Sequence, residues 1–430
     1  MSDSSSLKTR LSIFMFLQYF IWGSWYVSMG TYLATTLKFE GEQIGAAYGA
    51  FAIGAMISPF LVGLIADRFF ASEKILAVCG LLGGVVLCLI PRCTTFASFY
   101  PMLIVYCALY VPTLALGNSL SLHHLVNAKE DFPRIKIYSA IGWIAGLFTL
   151  SLIKGEQSPV QFYLAGGISI LFGLFSLTLP HTPPKKTGAN VSLGDVLGLD
   201  ALALLKKPSF AIFIACMFLI CIPLYFYFVM LGIYLTELKW DYMAVKTSLA
   251  QVSDVVFLFL LPTFLRRFGY KITIFIGILC WAARYFLLAA SVGMPSAQEL
   301  MIYGAILLHG VCYDFLFIAG QLYVDAEANE RIRGAAQGLI AFILWGVGSF
   351  VGTLLAGKTL AANKLAAAQG GLSYDWKAIW TTPALGAVAV LVVFLIFFRD
   401  PGNAPKYAGL VISMRLADRE ATPAAGEKDP

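Results

Sequence analysis

Three charged residues stand inside long apolar stretches of this sequence: Asp254, Arg284 and Asp314. A charge in the hydrocarbon of a membrane costs several kcal/mol unless it faces a cavity or a partner, so such residues mark ion pairs, proton sites or substrate paths. Gln251 and Asp254 are spaced i, i+3. On a helix that spacing puts an amide and a carboxylate on one face, where both can bond one polar ligand. Arg284 has the reach to form a static ion pair with one of the acids. One carboxylate is then left over, and a carboxylate held out of water is a site for reversible protonation. Asp254 is the first candidate for a proton carrier because it shares a face with Gln251, and Asp314 is the second.

Aromatic side chains are the other candidates for holding a ligand. Trp143 lies in the middle of one apolar run, Tyr225 and Tyr227 lie in another, and Tyr313 precedes Asp314. Rings in membrane helices also serve as packing and as interfacial belts, so both readings stay open. Lys136, near the start of the Trp143 run, reads as a lysine whose amine reaches the cytoplasmic surface. His123, His124, His181 and His309 form no ligand spacing, and no metal or cofactor is expected. Gly352 to Thr359 fits the phosphate-loop pattern G-x-x-x-x-G-K-T letter for letter. It ends an apolar run instead of following a strand, so Gly348 and Gly352 read as small residues for close helix contact. No nucleophile-elbow or zinc-protease pattern points to an enzyme.

The elements that position these residues follow from composition. Of 430 residues 59% are hydrophobic and 13% charged, with a mean hydropathy of +0.79; a soluble domain needs more polar surface than this. The formal charge of +6 comes from residues scattered among loops, which argues against a nucleic-acid partner. The eight cysteines suggest no disulfide framework. Twelve apolar runs of spanning length occur, at 11–33, 43–66, 75–90, 96–121, 135–153, 160–179, 210–235, 245–265, 272–290, 300–323, 335–356 and 378–398. They are continuous rather than alternating, hence helices in a lipid bilayer and not barrel strands. Counting from the cytoplasmic ends, Asp254 and Asp314 lie roughly 16 Å deep and Arg284 roughly 20 Å, near the midplane.

The polar interval around Pro180 to Pro208 divides the runs six and six. Residues 1–179 form one half, 180–208 a cytoplasmic linker, 209–400 the second half and 401–430 a cytoplasmic tail. With both termini inside, 21 Lys and Arg fall in cytoplasmic segments and 8 in external ones, the bias that orients membrane proteins. An offset of 199 maps Asp67-Arg68-Phe69 onto Arg266-Arg267-Phe268, and Asp131 and Arg134 onto Glu330 and Arg333. A parallel repeat of two halves is common in secondary transporters.

Several segments are familiar: 16–25 (Phe-Leu-Gln-Tyr-Phe-Ile-Trp-Gly-Ser-Trp), 131–137 (Asp-Phe-Pro-Arg-Ile-Lys-Ile), 179–184 (Leu-Pro-His-Thr-Pro-Pro) and 335–338 (Ala-Ala-Gln-Gly). Through them the chain resembles the nucleoside:proton symporter family of the major facilitator superfamily. The resemblance implies an all-α, twelve-helix carrier in the bacterial inner membrane that imports a nucleoside with a proton by alternating access. It also implies site roles for Gln251, Trp143 and Lys136 in substrate binding and for Asp254 and Asp314 in proton coupling; the residues themselves add Tyr225 and Tyr313 as substrate-binding candidates and Arg284 as a coupling candidate. Asp67 and Arg68, after Gly63, match half of the superfamily's G-x-x-x-D-R loop, implying a gating role. The chain departs from nucleoside-carrying members at Tyr225 and Phe228, where they have amides, and at Ala140, where they have a hydroxyl. A carrier for another polar metabolite, such as a sugar or glycoside, is the alternative.

Overall fold

The computed structural model describes residues 2–61, 70–183, 199–330, 332–369 and 372–399. Among the described residues, each of the twelve apolar runs is mostly helical, as backbone groups in lipid require. Span one is Ser2–Gly23, interrupted by a turn and resumed at Met29–Thr35. Spans two to six are Gly41–Leu61, Ser72–Leu89, Phe96–His124, Ala128–Leu152 and Val160–Ser176. Span seven, Pro208–Glu237, begins with proline at a position where no helical N–H is needed. Spans eight and nine run from Met243 through Leu249–Ser291 and fold back at Gly269, whose φ of 71° and ψ of −176° only glycine adopts without strain.

Span ten contains Gln298–Leu307, His309–Tyr313, a π-helical turn at Asp314–Ile318 and Ala319–Glu327. Span eleven likewise holds a π-helical turn, Phe342–Gly348, between Arg333–Ala341 and Ser349–Ala362. The phosphate-loop lookalike therefore lies in continuous helix running into Ala362, as its apolar setting implied. A methyl group added at Gly352 would lie 2.8 Å from the Cys221 carbonyl oxygen of span seven, which bears out the close-packing reading. A short antiparallel hairpin, Lys364–Gln369 with Leu372–Tyr374, had no counterpart in the sequence expectations. Span twelve, Trp376–Phe397, is capped by Asp375, whose carboxylate accepts from the Ala378 N–H at 3.0 Å.

The packing places Trp143. Span one lies along span five at a separation that Gly142 permits: a Cβ there would lie 2.2 Å from the carbonyl oxygen of Phe16. With no side chain between the backbones, the two helices carry Trp22 and Trp143 into edge-to-face contact, 5.2 Å between ring centroids.

The offset of 199 has a structural echo. Lys8, at the start of span one, pairs with Asp131 ahead of the regular apolar part of span five, at 2.8 Å. Lys207, at the start of span seven and 199 residues on, pairs with Glu327 at the end of span ten, also at 2.8 Å. The first pair ties span one to the first turn of span five, and the second ties the start of span seven to the last turn of span ten. Asp67 and Arg68, assigned to gating, lie outside the described residues.

Candidate substrate and proton site

A narrow cleft lies between span five on one side and spans seven, eight and ten on the other. Trp143 and Leu147 face Tyr227, Phe228, Leu231, Thr247, Gln251 and His309 across it, and Val27 lines it from the interruption in span one. The walls are mostly apolar with a few polar groups, the usual make-up of a small-molecule site. Trp143 Nε1 and Gln251 Oε1 are buried and have no protein partner. An unpaired buried polar atom costs about 1–3 kcal/mol, a cost that a hydrogen-bonding ligand in the cleft removes.

Of the sequence candidates, Gln251 and Trp143 line this cleft. Tyr313 stands one layer behind, its ring stacked on that of His309 at 5.8 Å. Tyr225 is buried beside span eleven, with its ring 6.1 Å from that of Phe228, so it supports the wall rather than forming it. Lys136 is turned inward: its amine donates to Tyr19 Oη at 2.9 Å and to Asn118 Oδ1 at 3.1 Å, over the face of the Tyr19 ring. The expected surface-reaching lysine is thus a partly buried cation between spans one, four and five, and the rings of Tyr19, Trp22 and Trp143 follow one another from it toward the cleft.

Asp254 sits one turn beyond Gln251, with its side chain 29% exposed and its Oδ1 unpartnered. Asp314 is 3% exposed and opens the π-helical turn of span ten, with Oδ2 unpartnered. A π-helical turn displaces a side chain from ordinary helical register and is frequent at functional sites. Arg284 is fully buried. Among the described residues it forms no ion pair with either acid, contrary to the static pairing the sequence allowed. Its Nη1 lies 2.9 Å from His309 Nδ1, and its guanidinium lies over the Tyr227 ring at 3.4 Å and 5.2 Å from the Trp281 ring. The reason is steric and electrostatic: spans seven and ten insert Tyr227 and His309 beside the cation, whose charge is held by ring faces and a ring nitrogen.

His309 is the site residue that sequence reasoning passed over. A metal-ligand test was the wrong one for a lone histidine. Its depth, about 24 Å by the same helical count, was the available signal, because it lies within one helical turn of that of Arg284. Among the described residues no group of three or more His, Cys, Asp or Glu gathers as a metal site.

The arrangement offers one large π face, one amide and one carboxylate within a helical turn, a pattern suited to a polar ring compound and to a proton. Its relatives are consistent with that. The chain is 38% identical to YegT of Escherichia coli (strain K12) over 97% of this chain and 98% of that one. It is 33% identical to the nucleoside permease NupG of the same organism, over 92% and 96%. The crystal structure of the nucleoside transporter NupG superposes with a TM-score of 0.83 at 31% identity, covering 91% of this chain and 99% of that one. The fold is accordingly the all-α major facilitator fold, and the chain is a multi-pass membrane transporter rather than an enzyme. Residues 5–403 match the nucleoside H+ symporter family, and the chain belongs to that family.

Proposed function

We propose that this protein imports nucleosides with protons by alternating access across a bacterial inner membrane, with both termini in the cytoplasm. The rocking bodies are residues 1–179 and 209–400, joined by the linker at 180–208, with 401–430 as a cytoplasmic tail. The observation that carries this reading is the cleft, in which Trp143 of the first body faces Gln251 and His309 of the second. A ligand bridging them joins both bodies, which is what couples binding to their relative motion. A nucleobase lies against the Trp143 face while its edge or the ribose bonds Gln251, and Asp254 takes the proton. Tyr225, Tyr313 and Lys136 support this set from behind, and Asp314 is the reserve proton site.

The contacts between the bodies support an inward-facing state. They join at the end assigned to the outside: Gly45 against Gly357, Thr31 with Thr236 at 3.3 Å, Lys364 with Glu40 at 3.1 Å, and Glu156 accepting from the Ala244 N–H at 2.7 Å. Outward opening has to break this set, whose individual members are weak enough for a carrier that cycles.

Uptake of labelled uridine into cells, with nucleosides and sugars as competitors, tests the substrate. Nucleosides should compete and sugars should not. A proton ionophore should collapse accumulation, since 100 mV supplies ~2.3 kcal/mol per charge, about a 50-fold gradient for each proton. Competition by sugars or glycosides alone would replace nucleosides with the second reading, which Phe228 and Tyr225 in span seven favour. Orientation is tested separately. Reporters fused after Lys185 and at the C-terminus should both be cytoplasmic, and an external C-terminus would overturn the assignment.

A further inference from the structure

We propose that His309 is a positioning residue for Asp254: Arg284 locks it in the tautomer that carries its proton on Nε2, and it holds the ionised carboxylate without itself carrying the transported proton. The inference rests on the reading of Asp254 as proton carrier.

The tautomer follows from donor and acceptor chemistry. A guanidinium only donates, and Arg284 Nη1 stands 2.9 Å from His309 Nδ1. Nδ1 must therefore accept, and the single ring proton lies on Nε2. A second proton on Nδ1 would set N–H against N–H beside a full positive charge, with neither group in contact with bulk water: Arg284 is fully buried and His309 is 4% exposed. His309 is thereby excluded as a carrier by its own neighbour.

The ring is also held in orientation. It is stacked between Tyr227 of span seven, at 5.6 Å and 23°, and Tyr313 of its own span, at 5.8 Å and 22°. Phe228 meets it nearly edge-on at 6.4 Å. The titratable and charged groups around it are thus Tyr227 from span seven, Asp254 from span eight, Arg284 from span nine, and Tyr313 and Asp314 from span ten. Held this way, Nε2 faces Asp254 Oδ2 at 3.9 Å. That is too long for a hydrogen bond, so the contact forms only when the ionised Asp254 side chain turns toward the ring. The carboxylate has an adjacent donor when ionised and none that it needs when protonated. His309 also lines the cleft, so the donor released on protonation of Asp254 is free to bond the substrate.

Amide substitutions separate the two ends of the imidazole. Glutamine places an N–H where Nε2 was. Asparagine keeps an acceptor near Arg284 but cannot reach Asp254, and phenylalanine keeps only the ring stack. The experiment measures pH profiles of labelled uridine binding and of uphill accumulation for the full chain in proteoliposomes, comparing H309Q, H309N, H309F and D254N. H309Q keeps the donor, so it should hold the pH midpoint of binding near that of the unsubstituted protein whatever it costs in affinity. H309N and H309F remove the donor that favours the ionised carboxylate, so the pH at which binding falls by half should rise by roughly one unit. Unchanged midpoints in H309N and H309F would overturn the positioning role. Loss of accumulation in H309Q as complete as in D254N would make His309 itself the carrier. Retained pH-dependent accumulation in D254N would instead remove the reading of Asp254 beneath the proposal, whatever the His309 variants do.

Discussion

Replacing Asp254 with asparagine is expected to abolish uphill accumulation of substrate while leaving binding and exchange in place. Asparagine has the shape of a protonated aspartate and cannot lose a proton, so the carrier is left in the one state that crosses with substrate. The gradient sustained by one proton at 100 mV, about 50-fold, should fall to equilibration. The pH dependence of uptake should vanish with it. Counterflow in proteoliposomes measures exchange separately from net accumulation and so distinguishes an uncoupled carrier from an unfolded one. If Asp254→Asn still concentrates substrate with normal pH dependence, the role passes to Asp314, which opens the π-helical turn in span ten and has a buried, unpartnered oxygen. Asp314→Asn is then the next variant to examine in the same assay.

The second large effect is expected at the cleft wall. Trp143→Ala removes the π face on which a base stacks, an interaction worth about 1–3 kcal/mol, so substrate affinity should fall about 5- to 150-fold. Gln251→Ala removes a hydrogen bond of about 0.5–1.5 kcal/mol, a fall of about 2- to 13-fold. Trp143 also packs against Trp22, so Trp143→Phe provides the control: it keeps a ring and should recover part of the affinity. Equilibrium binding of uridine to purified protein of unchanged melting temperature is the measurement. Wild-type affinity in both alanine variants would place the substrate elsewhere.

The two predictions differ in how far they could be read from the chain. The twelve spans were legible because lipid forces every backbone N–H and C=O to pair within its own segment, which makes each span a long unbroken apolar run. Asp254, Arg284 and Asp314 stood out because ionised groups are costly in such runs. The Gln251 and Asp254 pairing needed only the helical repeat, which is local. The identity of the cleft-lining face of span seven was not legible: Tyr225 and Tyr227 are two residues apart, and only the rotation of that helix against span eleven buries the first and turns the second toward Arg284.

The sequence by itself determined the class of molecule, the placement of its apolar helical segments and the local neighbours of each charge, because those depend on the apolar pattern and on residues within one turn. Tertiary structure alone decided which charge meets which partner. Arg284, His309, Tyr227 and Asp254 come from four spans, and the glycine contact that brings Trp143 beside span one joins residues more than a hundred positions apart. The physical reason is that helix rotation, crossing angle and axial register are set by the summed packing of many side chains. A shift of a few ångströms in any of them exchanges one partner for another without changing the apolar pattern from which the helices were read.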